Sequence, residues 1–122
     1  MENFINWFEI PSNDFKRAVH FYKTIMGIDI QETEMFGSQM GFFPSDGKNV
    51  SGAIVQGIDH KPSVEGITLY LNGGDNLQII LDKVDKANGQ VIRSKTQISA
   101  EMGYFAMFLD TEGNKLALHS IH

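Results

Sequence analysis

The same order of predicted elements occurs twice in this chain of 122 residues. A short apolar strand, WFEIP, precedes an amphipathic helix that ends near a glycine, and short strands follow it as far as Gln56. A second strand, ITLYL, begins the same succession again, which continues to His122. A repeated unit of this kind usually folds into two similar halves that share one surface.

Side-chain alternation divides the first strand into two faces. Phe4, Phe8 and Ile10 lie on one face, which we expect to join the core, while Trp7 and Glu9 lie on the other. A helix follows, capped by one of the three polar residues before it and terminated by a glycine. Its apolar residues recur at steps of three and four and predict one buried stripe: Phe15, Ala18, Val19, Tyr22, Ile25 and Met26.

The second half repeats this pattern. Its first strand is predicted over 67–71, with Ile67, Leu69 and Leu71 facing the core and Thr68 and Tyr70 facing the opposite side. A helix is predicted from about residue 75 to 87, and a tight turn over 111–114 joins the last two strands. The apolar stripe of this helix comprises Leu77, Ile80, Leu81 and Val84.

These patterns predict an α+β fold of two βαβββ modules, with module one over about 1–60 and module two over about 61–122 of a single domain. The loop 60–63 is the predicted connection between them. Both helices cover one side of the strands, so the other side of a strongly curved sheet stays free. A concave surface of this kind is a natural small-molecule site.

Composition excludes several classes of function. The formal net charge is -5 and the ten basic residues are scattered, so we expect no nucleic-acid partner. The chain has no cysteine, which removes thiolate nucleophiles and thiolate zinc sites. No signal-peptide pattern and no long apolar run occur, so we expect a cytoplasmic protein without a membrane partner.

Two segments resemble the vicinal oxygen chelate superfamily, which includes glyoxalase I, bleomycin resistance proteins and extradiol dioxygenases. WFEIPSNDFKRAVHFYKTIMG is similar to its first strand and helix, and GYFAMFLDTEGNKLALHS to its last hairpin. The resemblance implies an open, barrel-like arrangement of eight strands around a cleft, with the helices outside, commonly in a homodimer. In metal-dependent members, strands one, four, five and eight supply the ligands of a divalent metal, which acts as a Lewis acid.

The positions that this resemblance implies for metal ligands hold residues without suitable donors. Ile5 stands at the position on the first strand, and Ala117 replaces the carboxylate of the eighth strand. The candidates on the remaining two strands are Gly52, Ala53 or Ile54 and Gly66 or Thr68. We therefore predict no metal ligands and no cofactor.

The predicted cleft face carries a mixed set of candidate ligand-binding residues: Trp7, Glu9, Thr68, Tyr70, Lys115 and His119. Ring faces beside a carboxylate suit an amphipathic or cationic ligand. Glu9 and His119 are also candidate catalytic residues, as an acid-base pair. Structural roles remain open: Trp7 as a core residue, Glu9 as a hydrogen-bond acceptor near a strand end, and His119 as a structural histidine.

Three functions are compatible with this sequence. The first is a small-molecule-binding protein that sequesters or senses its ligand without the usual metal. The alternative is a metal-dependent lyase, isomerase or dioxygenase of the glyoxalase type, with Glu9 and His119 as nonstandard ligands. A third possibility is that the cleft or a dimer serves a regulatory partner. His60, in the connection between the modules, is assigned no role.

Overall fold

The computed structural model describes residues 3–122 and shows two successive βαβββ modules, as predicted. Module one contains β1 (Trp7–Pro11), α1 (Phe15–Met26), β2 (Gln31–Met35), β3 (Ser38–Phe42) and β4 (Ser51–Gln56). Module two contains β5 (Tyr70–Asn72), α2 (Gln78–Val84), β6 (Gln90–Ser99), β7 (Gly103–Leu109) and β8 (Lys115–Ser120).

Each module forms its own open four-stranded sheet. The strand orders are β1-β4-β3-β2 and β5-β8-β7-β6, so the first strand of each module is an edge strand that pairs with the fourth. That pairing is parallel in both modules, and the other pairings are antiparallel. The internal repeat therefore extends to topology.

The repeat also extends to individual hydrogen bonds. The Ser12 amide donates to the Val55 carbonyl over 2.8 Å in module one, and the Gly73 amide donates to the His119 carbonyl over 2.6 Å in module two. A side chain at the end of the fourth strand then accepts from the amide at the start of the helix. Gln56 does this for Phe15 and Ser120 does it for Leu77. Both helices are thus attached to their own sheets in the same way.

The structure confirms the predicted start, end and buried stripe of α1. Asp14 accepts a hydrogen bond from the Arg17 amide as the N-cap, and Gly27 ends the helix with φ +64°. The predicted stripe is buried, apart from the half-buried Met26. The start and the end of α1 therefore follow from local sequence.

Phe21 corrects that prediction, because it lies outside the expected stripe and yet is fully buried. Its ring lies 4.9 Å from that of Tyr22 and 6.0 Å from that of Phe108 in β7. A Cβ on Gly89 would lie 2.7 Å from the same ring. Phe21 joins α1 to module two, and the helices and sheets of both modules share one hydrophobic core.

The first strand of each module is shorter than predicted at its beginning. Phe4, expected to face the core, is 94% exposed, and Ile67, expected in β5, is 95% exposed. The parallel registers explain both corrections, since they place these residues opposite Lys48 and Asn114. Both of those partners lie in loops rather than strands. The alternation of apolar and polar residues in the sequence therefore begins before the first residue that has a neighbouring strand to pair with.

α2 is also shorter than predicted, with seven residues instead of about thirteen. Three of the four residues that were expected to be buried, Leu77, Leu81 and Val84, are nevertheless at most 4% exposed. The fourth, Ile80, is partly buried against the core. Asn88 ends the following turn with φ +73°. Neither α1 nor α2, the helices of the described region, is long and apolar enough to cross a membrane.

The turn before β8 fixes module two against the start of α1. The Glu112 side chain is fully buried and accepts hydrogen bonds from the amides of Asn13 and Asp14 over 2.9 and 2.7 Å. It also accepts two bonds from the Arg17 guanidinium. A carboxylate at this position interacts favourably with the positive end of the helix dipole.

A second carboxylate in the same turn bonds to both modules. Asp110 accepts from the Tyr22 hydroxyl over 2.7 Å and from the side chain of Asn114 over 2.9 Å. Asn114 in turn donates to the Pro11 carbonyl. Burial raises the pKa of Tyr22 well above its usual range, and the adjacent Asp110 carboxylate raises it further. The hydroxyl therefore remains a donor at neutral pH.

Candidate functional site

The candidate site is built on the side of the sheets that faces away from the helices, called the cleft face below. In sheet one, Ile10 and Ile54 belong to the shared core, so the alternate residues Trp7 and Glu9 lie on the cleft face. In sheet two, Leu116 and Leu118 belong to the core. Alternation then places Lys115, Ala117 and His119 on the cleft face, as predicted.

The two modules place alanine at matching positions of their fourth strands. Ala53 lies opposite Glu9 of β1, and Ala117 lies opposite Tyr70 of β5. Both alanines are fully buried. Ala53 is therefore the fourth-strand residue that corresponds in register to Ala117. Neither methyl group can coordinate a metal.

Glu9 is the centre of a polar cluster on the cleft face. Its Oε1 lies 2.8 Å from Nε2 of His60, and its Oε2 accepts a hydrogen bond from the Trp7 indole over 3.3 Å. The Glu9 side chain is 34% exposed, so the carboxylate reaches solvent as well as these partners. His60 Nδ1 is buried and has no hydrogen-bond partner among the described residues.

Trp7 is 43% exposed and is not a core residue. Its ring centroid lies 6.0 Å from that of Phe42, with the planes tilted by 57°. The two rings line a cavity of about 520 Å³ together with polar residues that include Asp29 and Gln31. Trp7 therefore presents an aromatic wall beside the Glu9 carboxylate.

A smaller cavity, of about 250 Å³, lies where β1, the connecting loop and the start of β8 meet. Its polar lining includes Glu9, Lys61 and Lys115. Its apolar lining includes Ile10, Leu69 and Leu116. This cavity joins two of the predicted ligand-binding residues, Glu9 and Lys115, and adds a lysine that the sequence did not single out.

Tyr70 and His119 line a third cavity, of about 610 Å³, beside the turn between β6 and β7. His119 Nε2 donates to the Met102 carbonyl over 2.6 Å, which attaches β8 to that turn. Tyr70 is 54% exposed and also lines an apolar cavity of about 580 Å³ that includes Phe4 and Ile5. Thr68 is half-buried, two residues before the start of β5.

The structure does not bring Glu9 and His119 together. They line different cavities, and each has another partner. His119 lies four residues beyond Lys115 along β8, which corresponds to about 13 Å of strand. The imidazole beside Glu9 belongs to His60 instead. Because His60 lies on an irregular loop, no sequence periodicity indicates which way its side chain points.

Comparison with known proteins gives the family. Residues 4–118 match the sequence profile of the Glyoxalase/Bleomycin resistance protein/Dioxygenase superfamily. The chain belongs to this superfamily. A glyoxylase-like domain-containing protein from Didymella fabae is 27% identical over 124 residues, covering 93% of this chain and 91% of the relative.

Solved structures of this superfamily's fold cover nearly the whole chain. A glyoxalase/bleomycin resistance protein from Albidiferax ferrireducens T118 has a TM-score of 0.72 at 16% identity, covering 97% of this chain and 98% of the other. TnmS3, an antibiotic binding protein from Streptomyces sp. CB03234, has a TM-score of 0.67 at 19% identity and covers 97% and 95%. These likenesses confirm the fold of paired βαβββ modules.

The cleft face of this superfamily member does not fit a divalent metal. Within residues 3–122, no group of three or more histidine, cysteine, aspartate or glutamate side chains is arranged to hold an ion. The matching fourth-strand positions hold Ala53 and Ala117. Glu9 and His60 would supply only two donor groups, fewer than the three or more protein ligands usual for a transition-metal site.

Proposed function

We propose that this protein binds a small molecule in the cleft between its two modules, through its own side chains and without a metal. One observation carries the proposal. Buried alanines stand at the matching positions of both fourth strands, while the neighbouring first-strand residues are the polar Glu9 and Tyr70. Among residues 3–122, the cleft face thus carries polar groups that can bond to a ligand, whereas its two matching alanine positions offer no donor to an ion.

The residues around the cleft suit an amphipathic ligand. Trp7 and Tyr70 are about half exposed and offer flat apolar surface beside the Glu9 carboxylate. Ligand sites combine apolar walls with a few polar groups that fix orientation. The description of TnmS3 as an antibiotic binding protein supports a binding role for this fold. We propose sequestration or sensing rather than turnover.

Trp7 makes the binding test direct, because it is the single tryptophan of the chain and lies on the cleft face. Protein treated with EDTA is screened against a library of small aromatic amines, acids and neutral compounds. We expect at least one compound to change Trp7 fluorescence and to raise the unfolding midpoint. If no compound does either, the proposal fails.

Two variants locate the binding. Glu9→Gln and Tyr70→Ala are expected to weaken the midpoint shift that a hit produces. Ile79→Ala is the control, since Ile79 is 61% exposed on α2 and remote from the cleft face. An equal loss in the control variant would point to a general change in stability instead.

Metal analysis separates this proposal from the enzymatic alternative. Protein purified without chelators is analysed for bound elements and heated with nickel, zinc, manganese or iron(II). We expect no stoichiometric metal and no large rise of the midpoint. Stoichiometric metal lost in Glu9→Gln would instead support a metal-dependent lyase, isomerase or dioxygenase with nonstandard ligands, and His119→Ala would test the second predicted ligand.

We also propose a homodimer. The edge strands β1 and β5 are unpaired on one side, and apolar residues beside them are exposed: Phe4, Ile5, Ile67 and Tyr70. Exposed apolar surface along an unpaired edge is usually covered. Size exclusion with light scattering is expected to give twice the chain mass. Phe4→Ser with Ile67→Ser should reduce it, whereas the control Phe36→Ser, which is 98% exposed elsewhere, should not.

A further inference from the structure

Opposite charges line the 250 Å³ cavity between β1, the connecting loop and β8. The residues that line it include Lys61 and Lys115, which carry ammonium groups, and Glu9, which carries a carboxylate. Among the described residues, neither of these ammonium groups takes part in a hydrogen bond or an ion pair. The Glu9 carboxylate lies more than 4 Å from both ammonium groups and contacts Nε2 of His60 instead.

Glu9 retains the capacity to bind a donor from a ligand. An ionised carboxylate offers about four acceptor sites, and the bonds from His60 and Trp7 use two of them. The side chain is one-third exposed and lines the cavity. A ligand N–H or ammonium group can therefore bond to Glu9 without displacing either protein partner.

The charge pattern selects among ligand classes. A simple anion would meet the Glu9 carboxylate, and a simple cation would meet the two lysines. A molecule with a cationic donor at one end and an anion at the other forms charge-assisted hydrogen bonds with both groups. Between them, Ile10, Leu69 and Leu116 offer apolar contact for an aliphatic body. The lining therefore matches a zwitterion that carries an apolar side chain.

The size of the cavity limits that molecule. A water molecule occupies about 30 Å³ in the liquid, so a space of about 250 Å³ holds a ligand of about eight to ten non-hydrogen atoms. A free aliphatic amino acid is of this size. A nucleotide is too large to fit inside.

We propose that this cavity binds a small aliphatic zwitterion of the amino-acid type, with its ammonium group on Glu9 and its carboxylate on Lys61 and Lys115. The inference rests on the proposed binding function, and it names the class of ligand that binds at the charged part of the cleft. It assigns Glu9 and Lys115 separate parts in specificity, and it gives Lys61, on the connecting loop, a part in the site.

Three probes test the two charged contacts separately by titration calorimetry. L-Leucine carries both charges, 4-methylpentanoate, its deamino derivative of similar size, lacks the cation, and L-leucinamide lacks the anion. We expect L-leucine to bind and each derivative to bind at least about tenfold more weakly, because each loses one charge-assisted hydrogen bond. Equal affinity for all three probes, or no heat from L-leucine, would overturn the inference.

Variants of Glu9 and Lys115 test which residue is responsible for each preference for L-leucine. Glu9→Gln is expected to reduce the preference for L-leucine over 4-methylpentanoate and to retain the preference for L-leucine over L-leucinamide. Lys115→Met is expected to reduce the preference for L-leucine over L-leucinamide and to retain the preference for L-leucine over 4-methylpentanoate. Lys86→Met is the control, since Lys86 is exposed beyond the end of α2 and should retain both preferences. The same loss in Glu9→Gln and Lys86→Met would contradict the assignment.

Failure of this inference is distinguishable from failure of the proposed function. A library compound that changes Trp7 fluorescence, in a protein that does not bind L-leucine, leaves the binding function in place and rejects the zwitterion. The unfolding free energy of each variant, measured in parallel, identifies any variant whose loss of binding comes from unfolding.

Discussion

Arg17 of α1 and Glu112 of the turn before β8 form a two-pronged ion pair that joins the two modules. The Arg17 Nε donates to Glu112 Oε2 over 2.7 Å, and Nη2 donates to Oε1 over 3.1 Å. Arg17 is half exposed, whereas the Glu112 side chain is fully buried. The contact spans 95 residues of sequence, so it fixes the relative position of the modules and thereby the cleft between them.

Replacing Glu112 should therefore cost substantial stability. Glu112→Gln removes a buried charge that accepts bonds from Arg17 and from the amides of Asn13 and Asp14 just before α1, and we expect the free energy of unfolding to fall by about 2–3 kcal/mol. Urea denaturation measures this change. The control is Glu32→Gln, because Glu32 pairs with a mostly exposed Lys16 and should contribute less than about 1 kcal/mol. Similar losses in both variants would show that Glu112 is an ordinary surface charge.

The Glu112 carboxyl should also make stability depend on pH. Burial raises its pKa, but the hydrogen bonds from Arg17, Asp14, Thr111 and Asn13 together hold it below the usual range. A depressed pKa stabilises the fold above the pKa of the unfolded chain, and this contribution is lost as pH falls through the folded value. The difference in unfolding free energy between wild type and Glu112→Gln should be constant near neutral pH and shrink below about pH 4.3. A difference that grows on acidification would contradict this sign.

Gly73 should not tolerate a side chain. A Cβ at this position would lie 2.7 Å from the His119 carbonyl oxygen and 2.7 Å from Leu77 Cβ. Gly73→Ala must therefore move the backbone that forms the hydrogen bond from the Gly73 amide to the His119 carbonyl, at a cost of about 1–3 kcal/mol in the free energy of unfolding. Gly66→Ala is the matched control, since a Cβ there meets nothing within 4 Å. Chemical denaturation of both variants should show a loss only at Gly73.

The contact between Glu9 and His60 should be measurable as a coupling. Both side chains are about one-third exposed, so a double-mutant cycle of Glu9→Gln and His60→Ala should give about 0.5–1 kcal/mol. His20 lies exposed on α1, and the cycle of Glu9→Gln with His20→Ala should give a value near zero. Equal coupling in the two cycles would mean that Glu9 has no specific interaction with His60.

Much of the cleft face could be predicted from sequence, because alternation along a strand fixes which side chains share a face. Trp7, Glu9, Lys115 and His119 lie on the face expected of them. Their neighbours could not be predicted. The Glu9 carboxylate contacts His60, from a loop without periodicity, rather than His119.

Local spacing predicts the order of elements, the buried stripe of α1 and the turn before β8, since these depend on residues a few positions apart. It leaves three candidates for the N-cap, and the structure selects Asp14. The starts of β1 and β5 follow from the tertiary structure, because a strand needs a partner in register. So do the packing of Phe21 on Phe108 and the hydrogen bonds that Glu112 accepts just before the helix of the other module. These contacts depend on how the two modules pack together, and the spacing of residues within one element does not indicate that packing.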